Sequence, residues 1–316
     1  MNGGLFHIFN NFVPLRNRIN MTHMFNGAGV ALITPFKEDH SIDFDALEQL
    51  VEEQISSGID YLVALGTTAE NPTLSPKEQK KVVDCVKSVN DRRKPIVMGL
   101  GSNNTYELVE RIKDTNFNGI DGMLSVTPYY NKPKQQGLIE HFKLVAKASP
   151  IPVILYNVPS RTGVNMLAET SIRIAEACPN VVAIKEAAGE MSQISSLVKN
   201  KPDHFAIISG DDMLAMPTIA VGGVGVISVA ANAMPGLISH LVWLANNGKF
   251  DEAQNIHGLL VNMFKLLFRE GSPGGVKALM EIQGKCQNIL RLPSYPVSEE
   301  LRAELKAELN RILEEK

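Results

Sequence analysis

From residue 29 onward, short apolar runs alternate with longer amphipathic stretches. The apolar runs fall at 29–33, 61–65, 95–98, 122–126, 153–156, 181–185, 205–209 and 225–229. Runs of this length and composition predict parallel strands covered on both faces. Between them, residues 43–57 carry Leu47, Leu50, Val51 and Ile55 at helical spacing. Ser75-Pro76-Lys77-Glu78 supplies an N-cap, a proline at the first helical position and an acid at the third. Eight strand–helix pairs in about 220 residues predict an α/β fold, the (β/α)8 or TIM barrel, spanning 24–249. A doubly wound open sheet is the competing architecture, but its GxGxxG between a first strand and helix is missing. Residues 250–316 add mostly helical sequence that a barrel does not need, and read as an appended C-terminal helical domain packing on the barrel or on another subunit. Residues 1–23 do not fit the pattern. The first twenty are rich in Asn and Phe, lack acidic residues, and place Arg16 and Arg18 after the apolar part, the reverse of a secretory signal. They read as a disordered extension, with Met21 and Met24 as alternative starts.

Composition narrows the function. Of 316 residues, 44% are hydrophobic and 21% charged, enough for a large core. Net charge is −3 with no basic run of five or more, which gives nucleic-acid or anionic-membrane binding no electrostatic support. Cys85, Cys178 and Cys286 are odd in number, widely spaced and free of any CxxC pattern, as in a reducing, cytoplasmic compartment. No apolar run reaches the roughly 18 residues of a membrane span.

The chemistry centres on Val181-Val182-Ala183-Ile184-Lys185-Glu186-Ala187, an apolar run with one lysine at its C-terminal end. Strict alternation would place Val181, Ala183 and Lys185 on one face, with small neighbours leaving room for the long side chain. Poor solvation there favours the neutral amine, a nucleophile that forms Schiff bases with ketones. The plainer reading is a strand-end lysine whose head reaches water.

Barrel active sites sit where the strands end. The ends here offer Thr67, Thr68, Tyr129, Tyr130, Tyr156, Arg161, Lys185, Glu186, Asp211 and Asp212. A Schiff-base lysine needs a proton shuttle, for which a tyrosine serves, and a hydroxyl to orient it, for which Thr67 is a candidate. A carboxylate substrate needs a cation, and arginine binds carboxylates bidentately. Singly, each residue has a plainer role: Tyr129 and Tyr130 in packing, Arg161 in a turn, Thr67 and Thr68 as caps. Their joint presence favours a site. None of the seven histidines directly follows a strand, which argues against a histidine-ligated zinc aldolase. An acidic metal site from Glu186 with Asp211 or Asp212 is the minor alternative. Gly222-Gly223-Val224-Gly225 enters strand eight rather than leaving it, so close packing explains it better than phosphate binding.

Five stretches taken together, Gly66-Thr67-Thr68, Val126-Thr127-Pro128-Tyr129-Tyr130-Asn131, Tyr156-Asn157-Val158-Pro159-Ser160-Arg161-Thr162-Gly163, Ile184-Lys185-Glu186-Ala187 and Ser209-Gly210-Asp211-Asp212, resemble the dihydrodipicolinate synthase (4-hydroxy-tetrahydrodipicolinate synthase) family. The similarity spans about residues 25–316. It implies a lyase with class I aldolase chemistry that condenses pyruvate with L-aspartate 4-semialdehyde on the route to diaminopimelate and lysine, without cofactor or metal. Lys185 would form the Schiff base and Tyr156 would shuttle protons. Thr67 and Tyr130 would complete a relay, Tyr130 reaching in from a neighbouring subunit. Arg161 would bind the semialdehyde carboxylate, and Thr68 with the backbone of Gly210 and Ile227 would hold pyruvate. The assembly implied is a homotetramer, a dimer of dimers. Some members bind L-lysine at the subunit interface; Asn103, Glu107 and Tyr129 match residues lining that cleft, while Pro76 and Gln79 stand where lysine-sensitive relatives often have histidines. Ala69 stands where glycine is usual, and strain of about 1 kcal/mol is expected if its φ is positive. N-acetylneuraminate lyase or another 2-oxo-acid aldolase is the alternative within the superfamily, disfavoured by Arg161. A non-catalytic barrel is disfavoured by Lys185, Tyr156, Thr67 and Tyr130 together.

Overall fold

A computed structural model gives the architecture, with residues 24–315 described. The expected extension at 1–23 lies outside the described residues. The strands are β1 Gly27–Ala31, β2 Tyr61–Ala64, β3 Ile96–Gly99, β4 Gly122–Val126, β5 Val153–Asn157, β6 Val181–Glu186, β7 Ala206–Ser209 and β8 Gly225–Ser228. They close in sequence order into one parallel barrel. The seam pairs Gly27 with Gly225, and a Cβ on Gly225 would lie 1.9 Å from the Gly27 carbonyl oxygen. The glycine-rich entry to β8 thus serves close strand packing.

Strand β1 starts and ends two residues earlier than the apolar run predicts. Small residues begin it, and the Ile33 amide is diverted to the Asn232 side chain (3.0 Å) instead of continuing the ladder. A second correction lies in β6. Its pairing with β5 steps from Val153–Val181 to Ile154–Ala183, so Val182 is an extra residue in the strand. Val181 therefore packs outward with the helices, while Ala183 packs inside the barrel. Val181 and Ala183 do not share a face, and only the part of the strand from Ala183 alternates as expected.

Helices cover the barrel: α1 Phe44–Ser56, α2 Pro76–Asn90, α3 Thr105–Asp114, α4 Gln135–Ala148, the short α5 Pro159–Thr162, α6 Ala168–Ala177, α7 Met191–Asn200, α8 Ala215–Ala220 and α9 Pro235–Asn246. Sequence signals fix their starts. Asp43 caps α1 through the Ala46 amide, and Ser75 with Glu78 forms a reciprocal capping box on α2. Then come α10 Phe250–Phe268, α11 Gly274–Ile282 and α12 Glu299–Glu314. Two apolar layers result. Tyr61, Val97, Ile154, Tyr156, Ala183, Ile208 and Ile227 fill the barrel, whereas the shell between strands and helices runs without a break into Leu260, Phe264, Leu279 and Leu305 of the last three helices. Among the described residues no helix is long and apolar enough to cross a membrane.

Candidate active site

Alternation within β6 from Ala183 onward turns Lys185 into the barrel and Glu186 away from it. Lys185 is 4% exposed and pairs in register with Tyr156 of β5. Its ammonium stands 4.3 Å from the centroid of the Tyr156 ring, a cation–π contact. It makes no hydrogen bond or ion pair to a described residue. The space beside it depends on Gly210: a Cβ there would lie 2.6 Å from the Ala187 Cβ and 3.1 Å from Lys185 Cε. Any larger residue would push into the lysine. Room for Lys185 thus comes from Ala183 and Gly210, not from Val181.

Glu186 faces a polar layer outside the barrel. Asn157 donates to both of its carboxylate oxygens (3.0 and 3.1 Å), Gln193 to one (2.9 Å), and the Ala188 amide to the other (2.8 Å). Burial pushes Glu186 above the usual carboxylate range, and these hydrogen bonds oppose the shift. Asp212 is likewise pushed up by burial, opposed by Ser228 and the Val229 and Ala230 amides. Both carboxylates are committed to holding strand ends. Among the described residues no three His, Cys, Asp or Glu side chains gather to hold a metal ion.

The remaining candidates occupy the same mouth. Thr67 opens a 3-10 turn, Thr67–Ala69, directly after β2, with Thr68 buried behind it. Ile227 is fully buried in the inner layer. Neither the Thr67 nor the Tyr156 hydroxyl hydrogen-bonds a described residue, so the expected link between them is open in the single chain. Tyr130, after β4, is 84% exposed with φ 71°, a left-handed conformation costly for an aromatic residue. Arg161 lies on α5, exposed, and its side chain makes one hydrogen bond to a described residue, donating from Nη2 to the Ser272 carbonyl (3.3 Å). Asp211 accepts from the Met213 amide and helps shape the turn after β7.

One expectation needs correction here. Ala69 does not adopt positive φ; the left-handed residues between β2 and the end of the turn are Leu65, at φ 56°, and Glu70, at φ 53° and ψ 34°. Asn104 caps α3, accepting from the Tyr106 and Glu107 amides. Asn103 and Tyr129 are exposed, and Glu107 accepts from Ser102 Oγ (3.1 Å).

Sequence reasoning missed the supports of the site. Glu70, 3% exposed, pairs with Lys277 of α11 at 2.6 Å. A lone lysine within the apolar run Gly275-Val276-Lys277-Ala278-Leu279-Met280 was the available signal. Asn165 and Gln193, which join Asn157 and Glu186 in one network, left none, because ordinary surface helices and loops carry the same residues.

Residues 24–312 match the dihydrodipicolinate synthetase family. The chain is 51% identical over 270 residues to the 4-hydroxy-tetrahydrodipicolinate synthase of Parabacteroides distasonis, covering 85% of this chain and 91% of that one. The chloride-inhibited dihydrodipicolinate synthase of Acinetobacter baumannii, solved in complex with pyruvate, superposes with a TM-score of 0.88 at 38% identity, covering 91% and 98% of the two chains. The DHDPS of Cyanidioschyzon merolae, solved with lysine bound, also gives 0.88, at 37% identity over 92% and 99%. With the five motifs clustered at one barrel mouth and the match running through the C-terminal helices, the chain belongs to the dihydrodipicolinate synthetase family.

Proposed function

We propose that the chain is a lyase that condenses pyruvate with L-aspartate 4-semialdehyde to 4-hydroxy-tetrahydrodipicolinate, in lysine and diaminopimelate biosynthesis. The observation that carries this reading is Lys185, buried at the barrel mouth without a hydrogen-bonding or charged partner among the described residues and stacked on Tyr156. A nucleophilic amine has to be free of such partners, and a structural lysine at this depth would have them.

Lys185 Nζ attacks the pyruvate ketone, and loss of water leaves an imine. Tyr156 moves the protons that this dehydration and the following enamine formation require. Thr67 orients the Tyr156 hydroxyl, and Tyr130 of a neighbouring subunit completes the relay. The open Thr67–Tyr156 link closes on substrate binding, as hydrogen bonds in empty sites often do. Thr68 and the backbone of Gly210 and Ile227 hold the pyruvate carboxylate, and Arg161 holds that of the semialdehyde. The exposed, left-handed Tyr130 supports a partner-dependent site, and we assign a homotetramer, a dimer of dimers. Residues 250–316 form the appended helical domain on this reading. Asn103, Glu107 and Tyr129 line a lysine site at the interface, a reading supported by the lysine-bound relative.

Borohydride reduction with pyruvate present tests the mechanism. A stable mass increment on the peptide containing Lys185 is expected. Unmodified protein, or label on another lysine, refutes it.

A further inference from the structure

The buried ion pair between Glu70 and Lys277 joins residues 207 apart in the chain. Neither side chain is more than 1% exposed. Two hydrogen bonds and one aromatic face surround the Lys277 ammonium. One goes to Glu70 Oε1 (2.6 Å) and one to the Ile289 carbonyl (2.8 Å), and the ammonium lies 4.2 Å from the centroid of the Phe36 ring. The other carboxylate oxygen of Glu70 accepts the Arg291 amide (2.9 Å). The carboxylate is therefore held at both oxygens by residues beyond the barrel.

Glu70 is also the C-terminal end of the turn that begins with Thr67. Its amide donates to the Thr67 carbonyl (3.1 Å), and its carbonyl accepts the Thr73 amide (2.8 Å). A left-handed non-glycine residue persists only where its surroundings hold it. The turn has few other tethers: Thr34 Oγ1 donates to the Ala69 carbonyl (2.8 Å), and the Ala69 amide donates to Gly66 within the loop itself.

We infer that Lys277 is a positioning residue for the proton relay, fixing through Glu70 the turn that presents the Thr67 hydroxyl to Tyr156. This rests on the proposed role of Thr67 in the same site. An ion pair this dry is a poor stabiliser of a fold compared with apolar packing, whereas removing either partner strands the other as an uncompensated buried charge. The helices after the barrel thus help to position the site, because they hold Glu70 at one end of the four-residue turn Thr67 to Glu70, whose other end faces the substrate.

Kinetics of Lys277→Met and Glu70→Gln, each alone and combined with Thr67→Val, test this. The unsubstituted protein, trapped with pyruvate and borohydride, controls for the mechanism. Glu70→Gln keeps the shape but turns an amide NH2 toward one of its two donors. Each single variant should lower kcat by about ten- to a hundredfold, the scale of small misplacements in a site. KM for pyruvate should move less than about threefold. Added to Thr67→Val, either change should cost little more, because both disable one hydroxyl. Losses that multiply in the double variants, or single variants with unchanged kcat, overturn the inference. If Lys277→Met fails to fold, the Glu70→Gln pair decides. Failed trapping in the unsubstituted protein removes the proposed mechanism and this inference together, whereas trapping with multiplying losses removes the inference alone.

Discussion

The ammonium of Lys185 rests 4.3 Å from the centroid of the Tyr156 ring, across adjacent strands paired in register. The aromatic face and the phenolic hydroxyl of Tyr156 therefore have separable duties. Tyr156→Phe keeps the face and the packing of the inner layer and removes only the hydroxyl. Because that hydroxyl bonds no described residue, Tm should change little. Loss of proton transfer should slow turnover by about 10²–10⁴-fold. Parallel melting curves and steady-state rates check this, and near-normal kcat would remove Tyr156 from the shuttle role.

Arg161→Ala should raise KM for the semialdehyde while pyruvate imine formation persists. Losing a charge-assisted bidentate contact costs about 1.5–3 kcal/mol. The single contact to Ser272 is exposed, so the fold should not suffer. Separate KM measurements for the two substrates decide. Equal damage to both would place Arg161 elsewhere in the cycle.

Tyr130→Phe and Lys185→Ala proteins, each inactive, should regain activity when mixed under subunit exchange, since some hybrid sites would be intact. Exchange demonstrated by native mass spectrometry without recovered turnover would confine Tyr130 to its own subunit or to no role.

Lysine should inhibit weakly and partially. Proline at 76 offers no side-chain donor, and the Gln79 amide is already turned onto the Asn71 and Leu74 carbonyls (3.3 and 3.2 Å). Losing one neutral hydrogen bond relative to a histidine-bearing relative costs about 0.5–1.5 kcal/mol, several-fold in affinity. The check is a lysine titration of the initial rate, repeated on Glu107→Ala. No effect at tens of millimolar, roughly the ceiling for specific weak binding, would end the regulatory reading. Equal inhibition of the variant would move the lysine site.

Acid should destabilise the fold through His141, which joins α4 to α3 by its Nδ1 contact with Thr105 Oγ1 (2.9 Å). Burial pushes its imidazole down to about 4 from 6.5. Between these values the unfolded chain binds the proton and the folded chain does not, so stability is lost as pH falls from 6.5 toward 4. The ceiling is about 3 kcal/mol. Urea unfolding at pH 7 and pH 4 should show a smaller acid loss in His141→Gln; an identical loss would assign acid sensitivity to other groups.

The barrel was legible because eight short apolar runs alternate with longer amphipathic stretches, and because caps such as Ser75–Glu78 announce themselves locally. The extra residue Val182 was not legible: Val-Val-Ala reads as uninterrupted alternation, and only pairing with β5 reveals the slip. Lys185, Tyr156 and Thr67 could be placed at one barrel mouth from the sequence because strand ends in a barrel converge. Lys277 was missed because its partner Glu70 is distant in sequence, and one charge in an apolar helix has no meaning until its counterion is placed. The strain expected at Ala69 sits one residue later, since the turn closes as a 3-10 segment before the chain reverses at Glu70.

Glu186 follows Lys185 immediately and is clamped on the far side of the sheet by Asn157, Gln193 and the Ala188 amide. Turning the peptide between them would swing a carboxylate in among Ile154, Ala183 and Ile208. Lys185 is an arm on a locked pivot, free only in its own methylenes. On the proposed mechanism, attached pyruvate could travel only as far as those torsions allow, so motion of β6 would not bring the two substrates together. The approach would then fall to the aldehyde, from the exposed edge where Arg161 and Tyr130 stand.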